Sequence, residues 1–202
     1  MSRPRKPDAF AAEQAKIRRA AEICIRRSGF HGAGIAAICA EAGISPGRLY
    51  HYYPGKAALI AALVHEAQGE ALAALAPLAD LDTSDYFGTL FERCIDAALL
   101  AADLEYATLA LEISAEATRD PEIATALATY TQALKGAWSR AVAVGQARGV
   151  IAQNLPPDCL ADLILLVLDG ATGLKIADPT LDNISIAARV RLLLAPHFLG
   201  NS

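Results

Sequence analysis

Arg48 follows Pro46 and Gly47 in this chain, and its guanidinium can bond guanine O6 and N7 at once, a contact worth about 1–3 kcal/mol of base discrimination. Gly47 permits close backbone approach. Ser45 precedes them, and Tyr50, His51 and Tyr52 follow. Lys56 falls in the first turn of the next expected helix, where free backbone N–H groups already favour anions. A fork that reads a base edge, followed by a cation that can meet phosphate, is chemistry suited to DNA recognition. The alternative for Arg48 is a solvated surface arginine, and for Tyr50 packing alone.

Such side chains need an element that carries them into a groove. A first helix is expected over about 11–28, where Ile17, Ala20, Ala21, Cys24 and Ile25 form one apolar stripe and Gly29 is the stop. A second spans about 35–42, with Ile35, Ile38, Cys39 and Ala42 on one face. Gly43 then lets the chain turn sharply. Ser45 is a good N-cap and Pro46 a good first helical residue, so a third helix starts there and ends near Tyr53. Helix, glycine turn, helix is the helix-turn-helix layout. Pro54 opens a fourth helix toward Pro77.

Residues 30–63 read FHGAGIAAICAEAGISPGRLYHYYPGKAALIAAL, and this stretch resembles the N-terminal domain of the TetR family of transcriptional regulators. The resemblance runs from about Lys16 to Leu63, most specifically AGISPGRLYHYYPGKAAL at 42–59. It implies a DNA-contacting set of Ser45, Pro46, Gly47, Arg48, Tyr50, His51 and Lys56, with Tyr50 and Lys56 on backbone phosphate and His51 at the DNA surface. Leu49 and Tyr53 would face the core. The chain also departs from the family. Ala33 and Gly34 stand where two hydroxyl residues are usual, so the second helix lacks a side-chain cap. Pro46 replaces a frequent lysine, and Cys24 and Ile25 replace a bulky Leu-Phe pair.

Charge is divided unevenly. Residues 1–60 carry ten Lys/Arg and four Asp/Glu, a net of +6, whereas residues 61–202 carry eight against eighteen, a net of −10. A basic head on an acidic body fits a phosphate-binding module on a carrier domain. The basic segment Met1–Asp8 has no apolar run behind it, so it does not read as a secretory signal. No apolar run approaches the roughly 18 residues of a membrane span, and the expected location is cytoplasmic. Cys24, Cys39, Cys94 and Cys159 form no CxxC pair and the histidines no HExxH, so neither disulfides, a metal nor a cofactor is expected. No nucleophile–base pair or phosphate-cradling loop points to an enzyme.

The remainder reads as long Ala/Leu-rich helices, about 85–102, 104–118, 121–148, 157–176 and 181–195, with no useful strand alternation. The expected fold is all-α. A basic arm (1–10) precedes a three-helix helix-turn-helix domain (11–56) and a helical-bundle ligand-binding and dimerisation domain (57–202). For a pocket the candidates are Phe87, Phe91, Tyr106, Glu112, Tyr130, Leu134 and Trp138, although aromatics in an alanine-rich bundle also serve as plain core. Few polar groups fall on inner faces, which favours a largely apolar ligand. Residues 160–174 are apolar almost all round, which suits a helix with partners on two sides. Leu163, Val167, Gly170, Leu174, Val190 and Leu194 are the candidates for a two-fold interface, against the alternative of a central helix in one monomer. The reading is a dimeric regulator, a repressor released from double-stranded operator DNA by a small-molecule effector. An activator, or a helical carrier of apolar molecules without a DNA role, stays open.

Overall fold

A computed structural model describes residues 7–80 and 85–199. Every element in them is a helix, as composition and periodicity require: α1 (Pro7–Gly32), α2 (Ile35–Ala42), α3 (Pro46–Tyr52), α4 (Lys56–Leu75), α5 (Pro77–Asp80), α6 (Tyr86–Ala101), α7 (Leu104–Ala117), α8 (Pro121–Ala147), α9 (Pro157–Ala177) and α10 (Asn183–Leu199). Of the basic arm, Met1–Lys6 lies outside the described residues.

The helices divide between two compact units. The first is bounded as Met1–Glu66 with Leu109–Ala128, the second as Ala67–Thr108 with Thr129–Ser202. In the first unit, Ile17, Ala20, Ala21, Cys24 and Ile25 of α1 are buried, as are Ile38, Cys39 and Ala42 of α2, Leu49 of α3, and Leu59, Ile60, Leu63 and Val64 of α4. Their stripes are the ones the helical period predicts. Ile113 of α7 and Ile123 of α8 are buried too.

Two departures are local. Helix α1 passes its expected stop, but Gly29 has φ 70° and ψ 172°. That combination is open essentially to glycine alone, so one more turn follows a sharp kink. Helix α10 runs through Pro196 to Leu199, and the complete burial of Phe198 gives that extra turn an apolar anchor. Among the described residues α4 alone is long and apolar enough, by length and composition, to cross a membrane. The expectation that no segment reaches that length is corrected to this extent; alanine supplies much of the hydropathy.

In the second unit, α6 packs on α9 and α10, and α9 on α10. Asp85 caps α6 by accepting from the Gly88 N–H at 2.9 Å. The core gathers Leu90, Phe91, Cys94, Trp138, Val142, Leu160, Ile164, Ile186, Val190, Leu194 and Phe198. Phe87 stacks on Phe91 with centroids 5.4 Å apart, and Phe91 meets Phe198 edge-on at 5.8 Å. Tyr86 donates its hydroxyl to the Ala141 carbonyl at 2.8 Å.

Candidate nucleic-acid interface

The turn between α2 and α3 is built as the residue types demand. Gly43 adopts φ 60° and ψ 41°, the left-handed cap that glycine takes without a Cβ clash. The Ser45 hydroxyl accepts from the Arg48 N–H at 3.3 Å, and Pro46 occupies the first turn. By contrast, Gly34 begins α2 without a side-chain cap, which is the consequence of the Ala33–Gly34 pair. Leu49 points inward, while Pro46, Gly47, Arg48, Tyr50 and His51 remain exposed. A Cβ built on Gly47 meets nothing within 4 Å, so this face is open.

The N-terminal half of α1 supports α3. Phe10 lies 4.8 Å from the Tyr52 ring and 6.4 Å from the His51 ring. Glu13 Oε1 is 3.1 Å from Arg48 Nε. Tyr53 is buried as expected; its hydroxyl donates to the Gln14 carbonyl at 3.4 Å and accepts from Arg18 Nη1 at 3.1 Å. Arg18 in turn grips Glu66 with two bonds of 2.6 and 2.8 Å. The Arg18 bond to Glu66 holds that carboxyl below its ordinary value, against the opposing effect of burial.

Lys56 departs most from the implied role. Its ammonium donates to the Phe30 carbonyl and sits 3.7 Å from the centre of the Phe30 ring. Burial pushes this lysine below its usual range, while Glu116 and Glu112 oppose that shift. The Lys56 charge therefore serves the α1 kink in this DNA-free chain rather than standing free for phosphate. Glu112 acts at the same kink. It accepts from the Phe30 N–H at 2.7 Å, and its Oε1 lies 3.3 Å from where a Gly29 Cβ would stand. Placing Glu112 among pocket candidates is thus corrected: the first unit uses its carboxylate to satisfy the backbone beyond Gly29. Glu116 approaches His31 Nδ1 at 3.8 Å.

The basic surface is partly neutralised from within. Glu22 meets Arg19 and Arg26, and Glu41 meets Arg27. Neither these pairs, nor the positioning residues Phe10, Glu13 and Gln14, were singled out from the sequence. The Glu22 pairs are local, three and four residues apart on α1, whereas Glu41, Phe10, Glu13 and Gln14 meet partners on other helices, which no local pattern marks.

The remaining pocket candidates lie in the second unit. Phe87, Phe91, Leu134 and Trp138 belong to its apolar core or pack against it. Tyr106 and Tyr130 share a side-chain hydrogen bond, and burial foremost pushes the Tyr130 phenol up. The Trp138 indole N–H is buried without a hydrogen-bond partner. Of the interface candidates, Gly170 and Leu174 are exposed and Leu163 and Val167 half-buried. Val190 and Leu194 are corrected, because they are 2% and 1% exposed in their own core. Beside Leu174, the apolar side chains that α9 and α10 leave uncovered are Leu166, Ile176, Ile184, Leu192, Leu193 and Leu199. Each residue turns the helix by about 100°, so Leu192, two residues after Val190, and Leu193, one before Leu194, fall on other faces of α10 from the buried pair.

Residues 17–63 match the family described as bacterial regulatory proteins, tetR family. Over 180 residues the chain is 28% identical to the HTH-type transcriptional regulator UidR of Escherichia coli K12, covering 89% of each protein. It is similar in structure to GusR of Salmonella enterica, with a TM-score of 0.77, 28% identity, and 98% and 99% of the two chains covered. A TetR-family regulator of Mesorhizobium loti shares the fold at a TM-score of 0.77 and 18% identity, covering 94% of this chain and 98% of its own.

Proposed function

We propose that this chain is a member of the tetR family of bacterial regulatory proteins, which its residues 17–63 match, and that it is a homodimeric cytoplasmic repressor that leaves a near-palindromic operator when a small, largely apolar effector binds its helical body. The observation that carries the reading is the capped helix α3 with Arg48, Tyr50 and His51 exposed on it. Two copies of α3 then enter successive major grooves roughly 34 Å apart. Arg48 reads a base, and Tyr50 holds phosphate. Lys56 reaches phosphate only by leaving the Phe30 carbonyl.

The exposed leucines and isoleucines of α9 and α10 support dimerisation, since a monomer gains nothing by leaving such a surface in water. An apolar effector is supported by the residues of the second unit, whose interior offers aromatic and aliphatic side chains and few charges. Ligand and DNA affect one another through the differential affinity of each for two states of the dimer.

The test is fluorescence anisotropy against DNA from upstream of the chain's own coding region and against a scrambled duplex, across a salt series. Binding that prefers the native duplex and weakens with salt supports the reading. Tyr50→Ala with Lys56→Ala is expected to weaken operator binding at least tenfold. Wild-type affinity in that double variant, with its fold intact, would sink the assignment of the interface. No binding even at low salt would favour a helical carrier of apolar molecules.

A further inference from the structure

We propose that Glu13 of α1 is a specificity-determining residue: it holds the Arg48 guanidinium in the orientation that reads a base. This rests on the reading of Arg48 as the base-contacting side chain. Glu13 Oε1 lies 3.1 Å from Arg48 Nε, and the two side chains are 19% and 55% exposed respectively. The carboxylate is thus the sheltered member of the pair, and the guanidinium the presented one. A carboxylate at Nε leaves the two terminal nitrogens of the fork for a second planar partner, and a guanine edge is one.

Electrostatics makes the placement informative. An acid beside a DNA-reading helix repels phosphate and weakens non-specific binding. As a surface ion pair it contributes little to stability. What it can contribute is order. A free arginine loses much rotamer freedom on binding, and immobilising one such side chain weakens binding roughly 2- to 10-fold. Arranging Arg48 beforehand removes part of that cost on the correct duplex only. The contacts around the pair suit this role. Phe10, one turn before Glu13, packs on Tyr52 at 4.8 Å. Gln14 accepts from the Tyr53 hydroxyl. The carboxylate is therefore carried on a helix whose register against α3 is set by neighbours on both sides of it.

The experiment uses full-length protein and duplexes that the wild type selects from a random library. A scrambled duplex of equal composition is the reference, and affinities come from anisotropy. Glu13→Ala is expected to lower the selected-to-scrambled ratio roughly 2- to 10-fold. Its affinity for the scrambled duplex should hold or rise, because one negative charge has left the DNA face. A merely structural role would weaken both. Glu13→Gln, whose amide oxygen still accepts, should restore part of the ratio. Glu13→Ala with Arg48→Ala should match Arg48→Ala alone. A Glu13→Ala ratio that is unchanged, or that rises because Arg48 has been released from sequestration, overturns the proposal. An unchanged ratio in Arg48→Ala marks a different failure, that of the base-reading assignment itself, and takes the Glu13 proposal with it.

Discussion

The two compact units are held by different forces. In the first unit, small apolar side chains on α1 and α2 share the work with charged and hydrogen-bonded links: Arg18 to Glu66 and Tyr53, Glu13 to Arg48, Glu112 to the Phe30 N–H, and Lys56 to the Phe30 carbonyl. In the second, aromatic and branched side chains fill the core, and the links nearest it are neutral: Tyr86 to the Ala141 carbonyl, Thr172 to the Ala101 carbonyl, and Gln146 to the Ala152 and Leu155 carbonyls. A surface that must meet phosphate cannot be covered by apolar side chains, so its helices are aligned by directional contacts. A core of aromatic and branched side chains rests chiefly on dispersion and burial, and so depends on volume.

The largest expected effect tests the volume-dependent side. Phe198 is fully buried, and Phe198→Ala should cost about 3–5 kcal/mol by the usual cavity and transfer terms. Trp138 is the single tryptophan in the chain and sits in this core, so its fluorescence during denaturant unfolding reports the loss. Trp138→Phe, followed by circular dichroism because it removes the fluorophore, should cost far less than other truncations of that size, because it also removes a buried N–H that bonds nothing. A loss in Trp138→Phe as large as in Phe198→Ala would mean that the indole N–H has a partner after all.

An intermediate effect is expected at the α1 kink. Glu112→Ala leaves the Phe30 N–H without its acceptor, which should cost roughly 1–3 kcal/mol. Gly29→Ala forces a side chain into a conformation costing on the order of 1–3 kcal/mol. Hydrogen exchange should show faster loss of protection at Phe30 and Ala33 in both variants, with the Trp138 environment little changed. Equal disturbance around Trp138 would erase the contrast between the units.

The smallest effect is electrostatic. Glu66 titrates below its ordinary 4.5 because Arg18 donates to it. A group whose folded pKa is depressed contributes stability above its unfolded pKa and loses it as pH falls through the folded one. The Arg18–Glu66 link should therefore be fully present at neutral pH and fade below about pH 4.5. Arg18 is shifted upward, so its own contribution is lost only at alkaline extremes. With the carboxylate 39% exposed, the pair is worth about 0.5 kcal/mol after screening. Comparing wild type with Glu66→Gln at pH 7 and pH 3.5 should show the difference shrink at the lower pH.

Much of this molecule is legible in one dimension, and the legible parts share a cause. The limits of α2 follow from Gly43 and from an apolar face that repeats every three or four residues. The start of α3 follows from Ser45 and Pro46, whose capping chemistry acts within three residues. The interface face follows because Leu49 is apolar and its neighbours are not. All are local, so sequence by itself determined them, together with the helical class and the uneven charge. Tertiary structure alone decided the partners. That Glu112 belongs to the α1 kink, that Lys56 is spent on Phe30, and that Glu13 faces Arg48 all depend on residues from 26 to 82 positions apart, or 35 for the latter, meeting in space. The phase of α10, which buries Val190 and exposes Leu192, was decided the same way. Spacing within a helix constrains which residues share a face, but only packing against another element selects the face that goes inward.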